Sequence, residues 1–330
     1  MAQDSFDSPV PCIIGPTAVG KTAAALVLAR QRGWEIISAD SRQVYRFLDV
    51  GTAKPGVAEL ASVPHHFINV RDPDEIYSAG DFAREARARI AELLRRGITP
   101  LVVGGSGLYI RALVEGFFEP PVTDRRLQMD LKLRAQREGG ATLHAELQRV
   151  DAVSAARLHP HDAHRIVRAL EVYYTSGQPL SAYWRRTPAA APFAFHFIGL
   201  TMPRDQLYAR IHYRVESMLA AGLVEECRKL VAMGYTPDLN ALQTVGYAEV
   251  FAFLAGRLNG EEMAEAIKQH TRNYAKRQLT WFRKNPNPPW IEIAGSDSAE
   301  RVAQAALDRF EKQWETGKRE TGDRRPEAGE

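Results

Sequence analysis

The sequence predicts an α/β fold: a P-loop NTPase-like parallel sheet with flanking helices and an inserted helical subdomain. Three observations carry that expectation. Short apolar runs alternate with helical patterns through the N-terminal third, a glycine-rich stretch follows the first run, and the rhythm lapses into charged helical sequence before an apolar strand returns.

VPCII (10–14) reads as a buried strand, because a strand covered on both faces is continuously apolar. GPTAVGKT (15–22) and a helix-like, alanine-rich segment follow directly. EIIS (35–38), HHFINV (65–70) and TPLVV (99–103) read as further parallel strands. Between the last two, Ser78 with Asp81 three residues on spells a capping box. Phe82, Ala86, Ile90, Leu93 and Leu94 then mark one helical face, and Gly97 stops it. Residues 118–190 read as the helical insertion, closing on the linker-like RRTPAAAPF. FHFIGLT (195–201) is a strand expected to rejoin the sheet, followed by helices near 204–233 and 261–284. The catalytic core is therefore placed at 10–117 and 191–294, with a basic helix near its C-terminal end. Residues 1–9 and 315–330 have too little apolar content to offset their ordering entropy and are expected to be disordered.

The 330 residues are 45% hydrophobic and 25% charged, as in ordinary globular proteins, and no run approaches the ~18 apolar residues of a membrane span. The first ten residues lack the basic and apolar regions of a leader, so a cytoplasmic protein is expected, as a monomer and without membrane partners. The two cysteines, Cys12 and Cys227, fall in a strand and a helical pattern and read as small buried hydrophobes. A net charge of +3 decides nothing globally; its distribution matters more.

Gly15, Pro16, Thr17, Ala18, Val19, Gly20, Lys21 and Thr22 complete G-x-x-x-x-G-K-[ST] between a strand and a helix. In that setting backbone N–H groups curl around phosphate, Lys21 neutralises it, and the Thr22 hydroxyl can hold Mg²⁺. The loop alone is a nucleotide-binding, ATP-type signature. SADSRQVY follows, with Asp40 at the carboxyl end of the second strand. Asp40 is a candidate base, although a capping or surface carboxylate would look the same. A motor-type ATPase would end another apolar strand on a magnesium-binding aspartate. Here PLVV runs into GGSGLY and offers Ser106, a hydroxyl, while Asp72 follows a strand interrupted by Asn69 and Arg71.

Between Glu265 and Glu292 stand six basic residues and no acidic one. Lys268, Arg272, Lys276 and Arg283 share one helical face, which predicts polyanion binding. Tyr274, Trp281 and Phe282 interleave as candidate stacking partners for bases. His159, His161 and His164 have no accompanying cysteine and straddle a helix start capped by Asp162, so a metal site is not read there. Arg165 and Arg168 on that helix extend a basic surface.

Taken together, GPTAVGKT, ISADSRQVY, GTAKP (51–55), LVVGGSGLYIRAL, RALEVY (168–173) and AKRQLTWFRK (275–284) resemble the bacterial tRNA dimethylallyltransferase, or tRNA isopentenyltransferase, family over roughly residues 11–290. The resemblance implies transfer of a five-carbon group from dimethylallyl diphosphate to the exocyclic amine of the adenine 3′ of the anticodon, with Mg²⁺ as cofactor. It implies Asp40 as the base, with Lys21, Thr22, Ser106 and either Arg210 or Arg214 on the diphosphate. It implies tRNA contacts at Asp40, Ser41, Arg42, Gln43, Ser106, His164, Arg165, Arg168, Gln243, Gly246, Tyr247, Lys276, Arg277 and Arg283. Three positions depart from the family's frequent residues: Asn69 for Asp, Ser106 for Thr, and Gln128 for Arg. No zinc finger follows, so a bacterial type is expected. An adenylate isopentenyltransferase would need neither insertion nor basic helix, a small-molecule kinase would share the loop, and a non-catalytic RNA-binding protein would leave Asp40 idle.

Overall fold

The computed structural model describes residues 9–117, 124–184, 191–284 and 286–322. In chain order the first elements are β1 (Val10–Ile14), α1 (Lys21–Arg32), β2 (Glu35–Ala39), α2 (Val57–Ser62), β3 (His65–His66), α3 (Ala79–Arg95), β4 (Pro100–Gly104) and α4 (Gly107–Glu115). Next come α5 (Arg125–Glu138), α6 (Gly140–Val150), α7 (Ala152–Ala155), α8 (Ala163–Ser176) and α9 (Leu180–Trp184). The chain then forms β5 (Phe195–Thr201), α10 (Arg204–Ala220), α11 (Leu223–Ala232), α12 (Tyr247–Leu254), α13 (Gly260–Phe282), β6 (Trp290–Glu292) and α14 (Ala299–Gly322). Two compact units result. One takes in Met1–Val114 and Ala191–Glu330, the other Glu115–Ala190.

The strands form one sheet in the order β3-β2-β4-β1-β5-β6, with every neighbouring pair parallel. At its centre Cys12 of β1 lies opposite Val102 of β4 on one side and Phe197 of β5 on the other. All five residues of β1 and of β4 are buried, which explains their unbroken apolar runs. Helix α1 buries Ala24, Ala25, Leu28 and Ala29 in a cluster that includes Ile13, Ile36, Leu101 and Ile198. Small alanines let it pack close. The same cluster takes Ala303, Ala306 and Phe310 from α14, and truncating the fully buried Phe310 to alanine should cost ~3–5 kcal/mol. Ser78 caps α3 as its sequence requires: its hydroxyl accepts from Asp81 N at 3.0 Å, and the Asp81 carboxylate accepts from Ser78 N at 3.1 Å.

In the second unit, Leu143, Leu147, Ile166, Val167 and Leu170 form a core of their own with Leu131. Asp162 starts α8, its carboxylate accepting from Arg165 N at 3.3 Å. Ion pairs of Arg134 with Glu138 and Glu146 add to its surface.

Three sequence expectations change. HHFINV is not a six-residue strand, since β3 stops at His66. Phe67 and Asn69 take positive φ of 68° and 55°, which turns the chain so that Asn69 N and Val70 N bond to Gln43 O and Val44 O. The tail expected to be disordered from residue 315 overlaps α14, which runs on to Gly322. The third change is β6, a short edge strand that sequence reading did not find. Residues 1–8 and 323–330 of the expected tails, and the linker residues 185–190, lie outside the described residues.

Candidate active site

The carboxyl ends of β1, β2 and β4, adjacent in the sheet, carry the three loops singled out by sequence, which is where open parallel sheets bind ligands. After β1 the loop reaches α1 through Ala18 and Gly20, both at positive φ (64° and 103°). Lys21 folds back so that its ammonium donates to Gly15 O at 3.0 Å and Pro16 O at 2.7 Å. Burial, reinforced by the charge of Arg214 and opposed by that of Asp40, lowers its pKa to about 7.

After β2, Asp40 closes a turn: its Oδ1 accepts from Arg42 N at 2.8 Å and Gln43 N at 3.3 Å. After β4, the buried Ser106 hydroxyl accepts from Ser41 N at 2.9 Å and stands 3.3 Å from the Ser41 hydroxyl, so the β4 loop fixes the turn that presents Asp40. Tyr274 of α13 shares a hydrogen bond with Ser106, and burial and the Asp40 charge push its phenol up to about 12.

Helix α10 brings both Arg210 and Arg214 into the same cavity. Arg210 lies against Gly20 of the phosphate loop, and burial lowers the pKa of Arg214 beside Asp40. The cavity holds about 810 Å³ and is lined by Lys21, Thr22, Asp40, Arg210, Arg214 and Tyr274, among others. Ser41, Arg42, Gln43, Gln243, Gly246 and Arg277 also reach its wall. Two of these side chains also brace the structure. Arg42 donates to Asn240 O at 2.7 Å, and Gln43 donates to Thr52 O and Ala53 O at 3.2 and 3.3 Å.

The GTAKP loop forms another wall, and its anchor was not legible in sequence. Glu226 of α11 accepts from the backbone N–H groups of Asp49, Val50 and Gly51 at 3.0, 2.8 and 3.2 Å. Lys54 is satisfied by Tyr45 O, Asp49 at 2.7 Å and Asn69 at 2.6 Å, so the Asn69 amide oxygen supplies an acceptor. Gln128 donates to the fully buried Glu171 at 3.3 Å, which also pairs with Arg168 at 2.9 Å. His164, Arg165 and Arg168 all lie on α8 in the second unit.

Four expected contacts are corrected. Tyr247 is fully buried, its hydroxyl donating to Glu226 at 2.5 Å, because Gly51 leaves room for its ring; its side chain has no exposed face. Phe282 is likewise fully buried and offers no face to a base. Lys268 is tied to Glu216 at 3.2 Å and Glu265 at 3.0 Å, and Arg272 lies against His212 and Tyr208. Lys268 is thus neutralised by carboxylates within the protein, and Arg272 is held by a histidine and an aromatic ring. Lys276, Arg277 and Arg283 remain exposed on α13 and at its C-cap.

A family model described as IPP transferase matches residues 43–285. The tRNA dimethylallyltransferase of Symbiobacterium thermophilum is 45% identical over 307 residues, 93% of this chain and 96% of that protein. That of Geobacter sulfurreducens is 46% identical over 293 residues, 88% of this chain and 94% of that protein. A solved tRNA isopentenylpyrophosphate transferase from Bacillus halodurans superposes with a TM-score of 0.67 at 36% identity, covering 94% of this chain and 99% of the other. A eukaryotic dimethylallyltransferase acting on tRNA superposes at 0.75 with 28% identity, covering 93% of this chain and 80% of the other. With the model spanning most of the chain and relatives near half-identical end to end, the chain belongs to the IPP transferase family.

Proposed function

We propose that the protein transfers the dimethylallyl group of dimethylallyl diphosphate to N6 of the adenine 3′ of the anticodon in tRNA. The observation that carries this reading is one cavity in which a phosphate loop, two arginines and a carboxylate converge. The donor's diphosphate lies in the loop against Lys21, Arg210 and Arg214, which neutralise the charge that grows as the C1–O bond breaks. The adenine, turned out of its stack, brings N6 to C1. Its lone pair forms the C–N bond, diphosphate departs with the electrons of the broken bond, and the surplus N6 proton passes to the Asp40 carboxylate. Ser106 and Tyr274 hold the Asp40 turn in place.

Magnesium fits the donor chemistry. Thr22 lines the cavity beside the loop, and among the described residues no cluster of three His, Cys, Asp or Glu competes as a protein cage. An ion held by the Thr22 hydroxyl and the diphosphate oxygens suits magnesium's habit of arriving with its phosphates, and it would supply further charge neutralisation. The exposed Lys276, Arg277 and Arg283 supply phosphate contacts for the anticodon stem-loop. A cytoplasmic, monomeric enzyme completes the reading.

The test is purified protein with labelled dimethylallyl diphosphate and either tRNA or AMP. Label on tRNA, dependent on an adenine 3′ of the anticodon, is expected. Label on AMP but never on tRNA makes the protein an adenylate-type enzyme instead.

A further inference from the structure

The stretch Lys276–Arg283 is assigned by family resemblance to tRNA, yet one member of it turns the other way. Gln278 is 6% exposed and points into the sheet end. Its Oε1 accepts from Thr17 N at 2.8 Å, across 261 residues of sequence, and its Nε2 donates to Gly105 O at 2.9 Å. One amide thus joins the phosphate loop after β1 to the loop after β4.

The neighbouring contacts repeat along the helix. Tyr274, four residues earlier, bonds to Ser106, and Trp281, three later, lies against Gly107. Three consecutive residues, from the β4 loop to the start of α4, are therefore each met by one residue of a single face of α13. Glycine on both sides of Ser106 makes these contacts possible, because a Cβ at Gly105 would push the Gln278 amide aside and one at Gly107 would overlap the Trp281 indole.

The bond to Thr17 has a consequence for the donor. Pro16 has no N–H, and Gln278 occupies that of Thr17, so neither of these two loop residues offers an amide to an anion. Gln278 thereby fixes the first part of the loop, next to the turn at Ala18 and Gly20. Resting on the diphosphate-donor reading above, we infer that Gln278 is a positioning residue for the donor. It holds the phosphate loop in register with the Ser106 loop from a helix whose outer face carries the basic residues for tRNA.

Gln278→Met keeps the length and removes both hydrogen bonds. Affinity for inorganic pyrophosphate, measured by calorimetry, is expected to fall about tenfold to a hundredfold, the loss that follows when only about a tenth to a hundredth of molecules keep the loop in its binding register. The KM for dimethylallyl diphosphate should rise in step and Tm should fall by several degrees, while kcat at saturating donor and tRNA affinity stay near wild type. Gly105→Ala should reproduce the loss by displacing the amide from the other side, its backbone not being in the left-handed region, and it serves if the methionine variant fails to fold. The double variant should be no worse than either single one. Unchanged pyrophosphate affinity in both singles, or losses that simply add, overturns the assignment. So does a uniform fall in kcat, tRNA affinity and Tm, the mark of a merely structural residue. Pyrophosphate binding needs no transfer, so a wild type that binds it tightly but never modifies tRNA sinks the proposed reaction and still tests Gln278.

Discussion

Lys21 should take up a proton when the donor binds. In the free protein its ammonium is buried among other cations and titrates near 7, with Gly15 O and Pro16 O as its stand-in acceptors. At pH 8 roughly a tenth of the molecules then carry the charge. A diphosphate placed in the loop restores the charged form, so binding at pH 8 draws up to about 0.9 proton from solution. Donor affinity should be level below pH 7 and weaken by up to about tenfold per unit from pH 7 upward, because only the charged form meets the anion well. Stability runs the opposite way. The depressed pKa means that the unfolded chain binds more protons between pH 7 and 10.5, so the donor-free fold gains stability from this group as pH rises through that window. The assay is calorimetric titration of dimethylallyl diphosphate without acceptor, at pH 8, in two buffers of different ionisation enthalpy. Uptake should vanish in Lys21→Ala. Buffer-independent heats in the wild type, or an affinity flat from pH 7 to 9, would refute the reasoning.

Asp40→Asn should slow single-turnover transfer ~10²–10⁴-fold while donor affinity holds or improves slightly, since a carboxylate near the diphosphate only repels it; loss of donor binding as severe as in Lys21→Ala would make Asp40 a structural group. For tRNA, Lys276→Ala should shrink the slope of log affinity against log salt by about 0.7–0.9, whereas Lys268→Ala, already paired with Glu216 and Glu265, should leave it unchanged. Equal changes in filter-binding titrations would mean that the internal pairs open on binding. Tyr247→Phe should destabilise the fold by ~1–3 kcal/mol in urea denaturation, by stripping one donor from Glu226, with no change in the tRNA salt slope.

The sheet and the phosphate loop were legible because they obey local rules: apolar runs for buried parallel strands, and a motif whose glycines and lysine serve a single geometry. Asp40 and Ser106 could be picked out by their place at strand ends. What escaped was whatever depends on the partner across space. The spacing of Lys268 and Arg272 puts them on a face with Lys276, but nothing local says that Glu216 and His212 of α10 will meet them first. Tyr247 and Phe282 look like any aromatics near basic residues until the packing that buries them exists. Phe67 and Asn69 broke an apolar strand pattern because residues 43–44 offered their backbone bonds to a turn. Glu226 belongs to no motif and Gln278 is not singled out within AKRQLTWFRK; the importance of both is set by backbone groups far away in sequence.

That distance has a consequence for synthesis. Thr17 N–H finds its partner only when Gln278 has left the ribosome, and β1 lacks its neighbour β5 until residue 195 follows the whole insertion. At ~5–20 residues per second, a nascent phosphate loop waits roughly 13–50 s for the glutamine 261 positions downstream. The chain therefore cannot assemble this cavity from its first half. Truncated products released early would carry the phosphate-loop motif without the grip of Gln278 on Thr17.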